Sequence, residues 1–298
     1  MNQVGCTLCP RACGVDRQVQ TGFCGAGREP EVATVCLHRG EEPPLNPITN
    51  VFFAHCNLQC IYCQNWQITH PGGPLTATVG PEGLADRICA LLPQSDGMLG
   101  LVTAAHYADR IPSLLEAIHA RGFNPTVVYN SSGYERLETL RRLEGLVDIY
   151  LPDLKYMDSG LADAYSHAPD YPAVAQAAIG EMRRQVGGGL KVDAAGRAYR
   201  GLIVRHLVLP GAVDNSLRCL EWLADEFPWG LHLSLMAQYY PPRPGLPQPL
   251  DRCITPDEYA AVTDRAEALG LTDGWLQELD ATSNYRPDFT LTDNPFEP

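Results

Sequence analysis

The sequence predicts an α/β protein built on a partial or near-complete (β/α)6-8 barrel with a cysteine-rich N-terminal cap, and three observations carry that reading. From about residue 48 onward, seven short apolar runs alternate with amphipathic stretches, the pattern of successive β-α units on a parallel sheet. The chain has 298 residues, enough for one large α/β domain or two ordinary ones. Its composition is globular, with 45% hydrophobic and 19% charged residues, and its 27 Gly and 25 Pro form no low-complexity tract.

Residues 1–47 read as the cap, rich in Cys, Gly and Arg and poor in long periodic segments. Strands are predicted at 50–54, 99–103, 126–129, 147–151, 202–209, 231–236 and 274–278, each short and rich in Val, Ile, Leu or aromatics. Between them, helices are predicted over 81–92, 111–121, 133–143, 161–165 with 173–186, 215–227 and 256–269. The clearest helix start is Thr255-Pro256-Asp257-Glu258, with a capping oxygen, Pro at the first helical position and carboxylates at the positive end of the dipole. Residues 190–200, centred on Asp193-Ala194-Ala195-Gly196, read as a hairpin inserted before a strand. The barrel is expected to span 48–280, and the Pro- and Asp-rich stretch 281–298 reads as an irregular tail.

Lys+Arg is 22 against Asp+Glu 35, a net charge of −13, which argues against a general nucleic-acid or anionic-membrane surface. No run approaches the roughly 18 to 20 apolar residues of a membrane span. Met1-Asn2-Gln3 opens without a basic and then apolar leader, so a cytoplasmic protein is expected. Eight of the eleven cysteines fall within the first 63 residues, and in a reducing compartment such clustering points to metal.

The sharpest local signal is Cys56-Asn57-Leu58-Gln59-Cys60-Ile61-Tyr62-Cys63, a C-x3-C-x2-C run directly after a predicted strand. Three thiolates on one loop can reach three irons of a [4Fe–4S] cube and leave the fourth iron open to an exogenous ligand. Zinc is the competing reading, but it asks for four protein ligands that this loop does not supply. Cys6, Cys9, Cys13 and Cys24 have the spacing C-x2-C-x3-C-x10-C. They suit an auxiliary iron–sulfur cluster, zinc, or no metal at all.

At Cys56, Cys60 and Cys63, with Tyr62 before the third cysteine, the sequence resembles the radical S-adenosylmethionine superfamily. The resemblance extends toward the pyruvate formate-lyase activating enzymes and, more closely, their uncharacterised relatives. It continues through Cys6-Thr7-Leu8-Cys9-Pro10-Arg11-Ala12-Cys13, Gly22-Phe23-Cys24-Gly25, His38 with Glu41-Glu42-Pro43-Pro44, Gln64-Asn65-Trp66, Leu151-Pro152-Asp153-Leu154-Lys155, and Arg205-His206-Leu207-Val208-Leu209-Pro210-Gly211. It implies a barrel of the radical S-adenosylmethionine type, in which the open iron binds the cofactor's amino and carboxylate groups. Reductive cleavage then gives a 5′-deoxyadenosyl radical that abstracts hydrogen from a glycyl or other protein residue, or from a small molecule. An electron donor such as flavodoxin or ferredoxin is the implied partner. One departure is that the Gly-Gly-Glu-Pro turn of the activating enzymes is replaced by Thr103-Ala104-Ala105-His106-Tyr107.

In β/α barrels the site forms at the carboxyl ends of the strands. That rule gives His106 and Tyr107, Asn130, Ser131 and Ser132, Asp153 and Lys155, Arg205 and His206, and Gln238 and Tyr239 as a polar list, with His106, Lys155 and His206 catalytic and Tyr62, Asn130, Ser131, Asp153 and His206 cofactor-binding. The resemblance implies that Asp153 works near the cofactor carboxylate and that Asn130-Ser131 occupies the Thr-Asn-Gly turn of the activating enzymes. A structural Asp153–Lys155 ion pair and a plain turn are the alternatives. Strand alternation sends Arg205 and His206 to opposite faces, and His206 is expected inward because a buried Arg needs an acidic partner that the sequence does not identify. The rival function is a non-catalytic iron–sulfur electron-transfer or metal-sensing protein.

Overall fold

The structure is a computed structural model that describes residues 5–40, 42–70, 77–283, 286–291 and 294–296. In chain order the elements are β1 (Glu31–His38), β2 (Ile48–Phe53), α1 (Trp66–Thr69), β3 (Ala77–Thr78), α2 (Pro81–Leu91), β4 (Met98–Val102), α3 (Ile111–His119), β5 (Thr126–Ser131), α4 (Leu137–Arg142), β6 (Ile149–Pro152), α5 (Ser159–Ser166), α6 (Tyr171–Val186), β7 (Lys191–Val192), β8 (Ala198–Leu207), α7 (Val213–Glu226), β9 (His232–Met236), α8 (Pro256–Ala268) and β10 (Gly274–Leu276).

The sheet runs β10-β9-β8-β6-β5-β4-β2-β1-β3, and β2, β4, β5, β6, β8, β9 and β10 are parallel, each beside the next along the chain. Its two edges do not pair among the described residues, so the architecture is the expected α/β partial barrel. All seven predicted strand positions hold strands. The sequence reading had no strand before residue 48, yet β1 pairs antiparallel with β2 and carries β3 on its other side. The missed strand has no sharp alternation, because its burial is irregular along EVATVCLH.

The helix predicted over 133–143 begins only at Leu137. Gly133 adopts φ +77, and a Cβ there would stand 2.4 Å from the Asp153 carbonyl oxygen, so this glycine belongs to a turn rather than a helix. The helix start at Thr255 is as expected. Its hydroxyl accepts from the Glu258 amide, the Glu258 carboxylate answers on the Thr255 amide, and Pro256 follows. The predicted hairpin is β7 against β8.

Two apolar layers hold the barrel. Helices pack on the outer face of the sheet around residues such as Leu101, Ile118, Ile179, Val204 and Leu220. Inside, Leu45, Ile48, Met98, Val128, Ile149 and Ile203 fill one end of the barrel. Each such side chain stabilises the fold by about 1.5–3 kcal/mol on burial. Above this plug the lining turns polar. Asn50 projects toward β4, and a Cβ on Gly100 would meet its Oδ1 at 1.9 Å, so the glycine makes room for an interior amide.

The leader docks on the outside of the β2 and β5 loops. Arg11 donates to the backbone carbonyls of Asn57 (3.0 Å), Ser166 (2.9 Å) and His167, and stacks on the Phe23 ring. Thr139 donates to the Leu8 carbonyl at 2.6 Å, and Arg17 to that of His106 at 2.6 Å. From the tail, buried Phe289 meets Phe52 edge-on at 5.4 Å. Among the described residues no helix is long and apolar enough to cross a membrane.

Candidate active site

β2 delivers the chain into the cysteine loop through two residues with left-handed backbone, His55 (φ +68) and Gln59 (φ +54). Hydrogen bonds then fix the loop to the rest of the molecule. The Ile61 amide donates to the Tyr165 carbonyl at 2.9 Å, the Asn57 side chain to the Tyr134 carbonyl at 2.8 Å, and Gln59 to the Phe23 carbonyl at 2.6 Å.

Cys56, Cys60 and Cys63 all border one cavity of about 190 Å³ at the carboxyl ends of the strands. Its walls come from successive strand ends: Thr103 after β4, Asn130 on β5 and Ser132 just after it, Asp153 and Lys155 after β6, Arg205 on β8, and Gln238 after β9. This is where a β/α barrel gathers its functional loops. Of the predicted ligand, catalytic and cofactor-binding residues, the cavity therefore brings together the three cysteines, Tyr62, Asn130, Asp153 and Lys155.

Each of the three sulfurs receives a hydrogen bond. The Leu58 amide reaches Cys56 Sγ at 3.3 Å, the Ser166 hydroxyl reaches Cys60 Sγ at 3.2 Å, and the Thr69 hydroxyl reaches Cys63 Sγ at 3.3 Å. Burial, reinforced by the neighbouring sulfurs, pushes the Cys56 thiol up to about 12 and the Cys63 thiol up to about 11. Without a cation these thiols stay protonated at neutral pH, and metal binding must release the protons. Among the described residues no group of three or more His, Cys, Asp or Glu surrounds a point that a single metal ion could occupy. The cysteines of an iron–sulfur cluster each take a different iron, and three thiols bordering one cavity fit that arrangement.

Asp153 and Lys155 form an ion pair of 2.6 Å inside the cavity. Burial opposes the lysine's charge, but the Asp153 carboxylate and the sulfurs of Cys60 and Cys63 outweigh it and hold the ammonium above its usual range. The ion pair is present, and both of its residues line the cavity.

Other predicted positions are corrected. Arg205, not His206, faces the cavity. The acid it needs is Glu42, buried in the segment before β2, whose carboxylate takes two bonds from the guanidinium at 2.8 and 2.6 Å. Glu41, quoted beside it in the resemblance, lies outside the described residues. His206 turns to the helix layer, where its ring meets the Leu154 carbonyl at 2.6 Å and Ser216 Oγ on α7 at 2.9 Å. Burial lowers it to about 4, so it stands there as a neutral connector.

His106 is also outside the cavity lining. Its Nε2 lies 2.8 Å from the Ala54 carbonyl oxygen, and burial lowers it to about 3. Thr103, at φ +60, is the residue after β4 that lines the cavity. A β-branched residue in left-handed backbone is uncommon. Ser131 is buried with its hydroxyl on Glu135 at 2.6 Å, and its neighbour Ser132 lines the cavity instead. The ring of Tyr62 sits edge-on among Tyr156, Tyr165 and Tyr239.

Gln238, a strand-end candidate from the sequence, joins Gln64 and Gln277, which were not read as site residues, in an amide ladder that ties the cysteine loop to the open side of the barrel. Gln64 Nε2 donates to the Gln238 carbonyl at 3.0 Å, Gln238 Nε2 to Gln64 Oε1 at 3.1 Å, and Gln277 Nε2 to Gln238 Oε1 at 2.7 Å. Gln277 follows β10, and polar residues after two adjacent strands were the available signal. In the leader, Cys9 and Cys24 are buried, Cys6 is half-buried and Cys13 is exposed.

No protein-family model matches the chain. It is 27% identical over 277 residues to an uncharacterised protein of Methanocaldococcus jannaschii, covering 89% of this chain and 75% of that one. It is 26% identical over 144 residues to the lipoyl synthase of Beutenbergia cavernae, covering 45% of this chain and 43% of the enzyme. Among solved structures it is similar to native anSMEcpe with bound AdoMet (TM-score 0.49, 11% identity, 74% of this chain and 59% of that one). The same protein with AdoMet and a Kp18Cys peptide gives a TM-score of 0.46 at 11% identity, over 70% of this chain and 54% of that one. The chain thus spans a little over half the length of the solved structures it resembles.

Proposed function

We propose that this protein is a radical S-adenosylmethionine enzyme whose [4Fe–4S] cluster is held by Cys56, Cys60 and Cys63. The observation that carries the reading is that one C-x3-C-x2-C loop directs all three cysteines to a single cavity at the carboxyl ends of seven parallel strands. The likeness to a lipoyl synthase over 144 residues points the same way.

The donor set fits the cluster, with three sulfurs, each already hydrogen-bonded, and no fourth protein thiol on the cavity wall among the described residues. When bound, that cluster and S-adenosylmethionine supply one-electron reductive cleavage to a 5′-deoxyadenosyl radical able to break a C–H bond. The chain's own groups bind, orient and exclude water. Asp153 and Lys155 offer opposite charges to the zwitterionic end of the cofactor, and Asn130 and Ser132 offer neutral hydrogen bonds. The Glu42-neutralised Arg205 adds a fixed dipolar group, and buried Tyr62 with the docked leader closes the loop's outer side to water.

Within this reading the substrate is a protein residue, glycyl in the case nearest the activating enzymes, or a small molecule. A flavodoxin- or ferredoxin-type donor supplies the electron, and the cytoplasm is the compartment in which such a cluster stays reduced. The leader cysteines are the place for an auxiliary cluster or zinc. A purely electron-transferring protein is disfavoured, because a three-cysteine loop leaves one iron without a protein ligand.

The test is product formation. Protein reconstituted with iron and sulfide without oxygen, then reduced and given S-adenosylmethionine, is expected to release 5′-deoxyadenosine and methionine, and a Cys60→Ala variant is expected to release none. A fully loaded wild type that releases neither contradicts the reading.

A further inference from the structure

The three sulfurs of the cysteine loop differ in what donates to them, and the difference is built from buried side chains. Cys56 takes a backbone amide, from Leu58. Cys60 and Cys63 take hydroxyls, from Ser166 at the end of α5 and from Thr69 at the end of α1. Ser166 is fully buried and Thr69 nearly so. A hydroxyl near the end of a helix ordinarily turns back to the carbonyl one turn earlier. These two are aimed at sulfur instead.

Behind Ser166 stands a chain of hydroxyls. Tyr156 Oη is 2.8 Å from Ser166 Oγ, and Tyr62 Oη is 2.7 Å from Tyr156 Oη. Both tyrosines are buried, so each hydroxyl must find its partners within this group. Tyr156 gives its proton to Tyr62, and Ser166 gives its own to Cys60, since a cysteine ligating iron has none to give.

We infer that Ser166 and Thr69 are positioning residues that set the electron affinity of the cluster, each by a buried hydroxyl donated to a ligand sulfur, Ser166 to Cys60 and Thr69 to Cys63. The inference rests on the cluster reading above. Hydrogen bonds to cluster sulfurs favour the more negative, reduced state and so raise its potential. The two hydroxyls make the cluster easier to reduce while leaving its ligands unchanged.

The test is a redox titration of iron- and sulfide-reconstituted wild type, Ser166→Ala and Thr69→Val, followed by electron spin resonance without S-adenosylmethionine, with iron counted in each. Ser166→Ala and Thr69→Val are each expected to lower the reduced-to-oxidised ratio at fixed potential about tenfold, equivalent to about 59 mV for one electron. A merely structural role would lower iron content or stability and leave the potential of the loaded fraction unmoved. Fully loaded variants at the wild-type potential overturn the inference and leave the cluster reading standing, whereas a wild type that takes up no iron overturns both. If one variant takes no iron, the other decides the matter by the same shift.

Discussion

The leader and the cysteine loop lie against each other, joined by Arg11 and Gln59, and both are short and cysteine-rich, but they treat their thiols differently. The loop's three sulfurs border one cavity, and two take buried hydroxyls from helices of the barrel. In the leader, Cys9 and Cys24 meet nearby backbone amides, of Arg11 and Ala26, while Cys13 is exposed. The loop draws one donor from a distant helix, Ser166 at the end of α5, 106 positions from Cys60.

Loss of the loop thiols is the largest expected effect. Cys56/Cys60/Cys63→Ala should abolish the iron signal of the loop and any S-adenosylmethionine cleavage. Cys6/Cys9/Cys13/Cys24→Ala should retain both, as counted by iron and sulfide per chain. A leader variant that loses cleavage while the loop variant keeps it would reverse the assignment of the two regions.

Arg205→Met should come next. It leaves the Glu42 carboxylate buried without its cation and is expected to cost about 3–5 kcal/mol in urea unfolding. The double variant Glu42→Gln/Arg205→Met should recover most of that loss. A single variant as stable as wild type would remove the pair from the account of the cavity wall.

Glu135 ties the β5 turn beside the leader. Burial raises its carboxyl from 4.5 to about 7 against the opposing hydroxyls of Ser131 and Tyr129. The folded carboxyl therefore holds its proton where the unfolded one has lost it. Its contribution is complete below about pH 4.5 and is lost as pH rises to about 7, a change on the order of 3 kcal/mol. Glu135→Gln should flatten the unfolding free energy across that window, and an unchanged slope would exclude the buried carboxyl as its source. Smallest is Arg11→Ala, expected to cost about 1–2 kcal/mol by freeing the leader from the Asn57 and Ser166 carbonyls, seen as faster proteolysis within residues 5–24. Wild-type proteolysis rates would show that the leader docks by other contacts.

The parallel strands were legible because each is a short apolar run bounded by turn residues, and the cysteine loop because its ligands are adjacent in sequence. Asp153 and Lys155 were readable for the same reason, two residues apart after one strand. What failed depended on residues distant in sequence. Arg205 could not be turned inward without Glu42, which sits 163 positions away in an unpatterned segment. His206 then appeared the better inward residue, although Ser216 and the Leu154 carbonyl waited for it in the helix layer. Ser131 and Ser132 differ by one step along the pleat, enough to separate a buried tie to Glu135 from a cavity wall. The Ser166 and Thr69 donors leave no local mark at all, since serine and threonine there read as ordinary helix and loop residues.

The most direct test of the central claim is the electron spin resonance spectrum of reduced, reconstituted wild-type protein recorded with and without S-adenosylmethionine. Coordination of the cofactor at an iron left open by Cys56, Cys60 and Cys63 predicts a spectrum that changes on its addition. A loaded cluster whose spectrum stays the same would contradict the account.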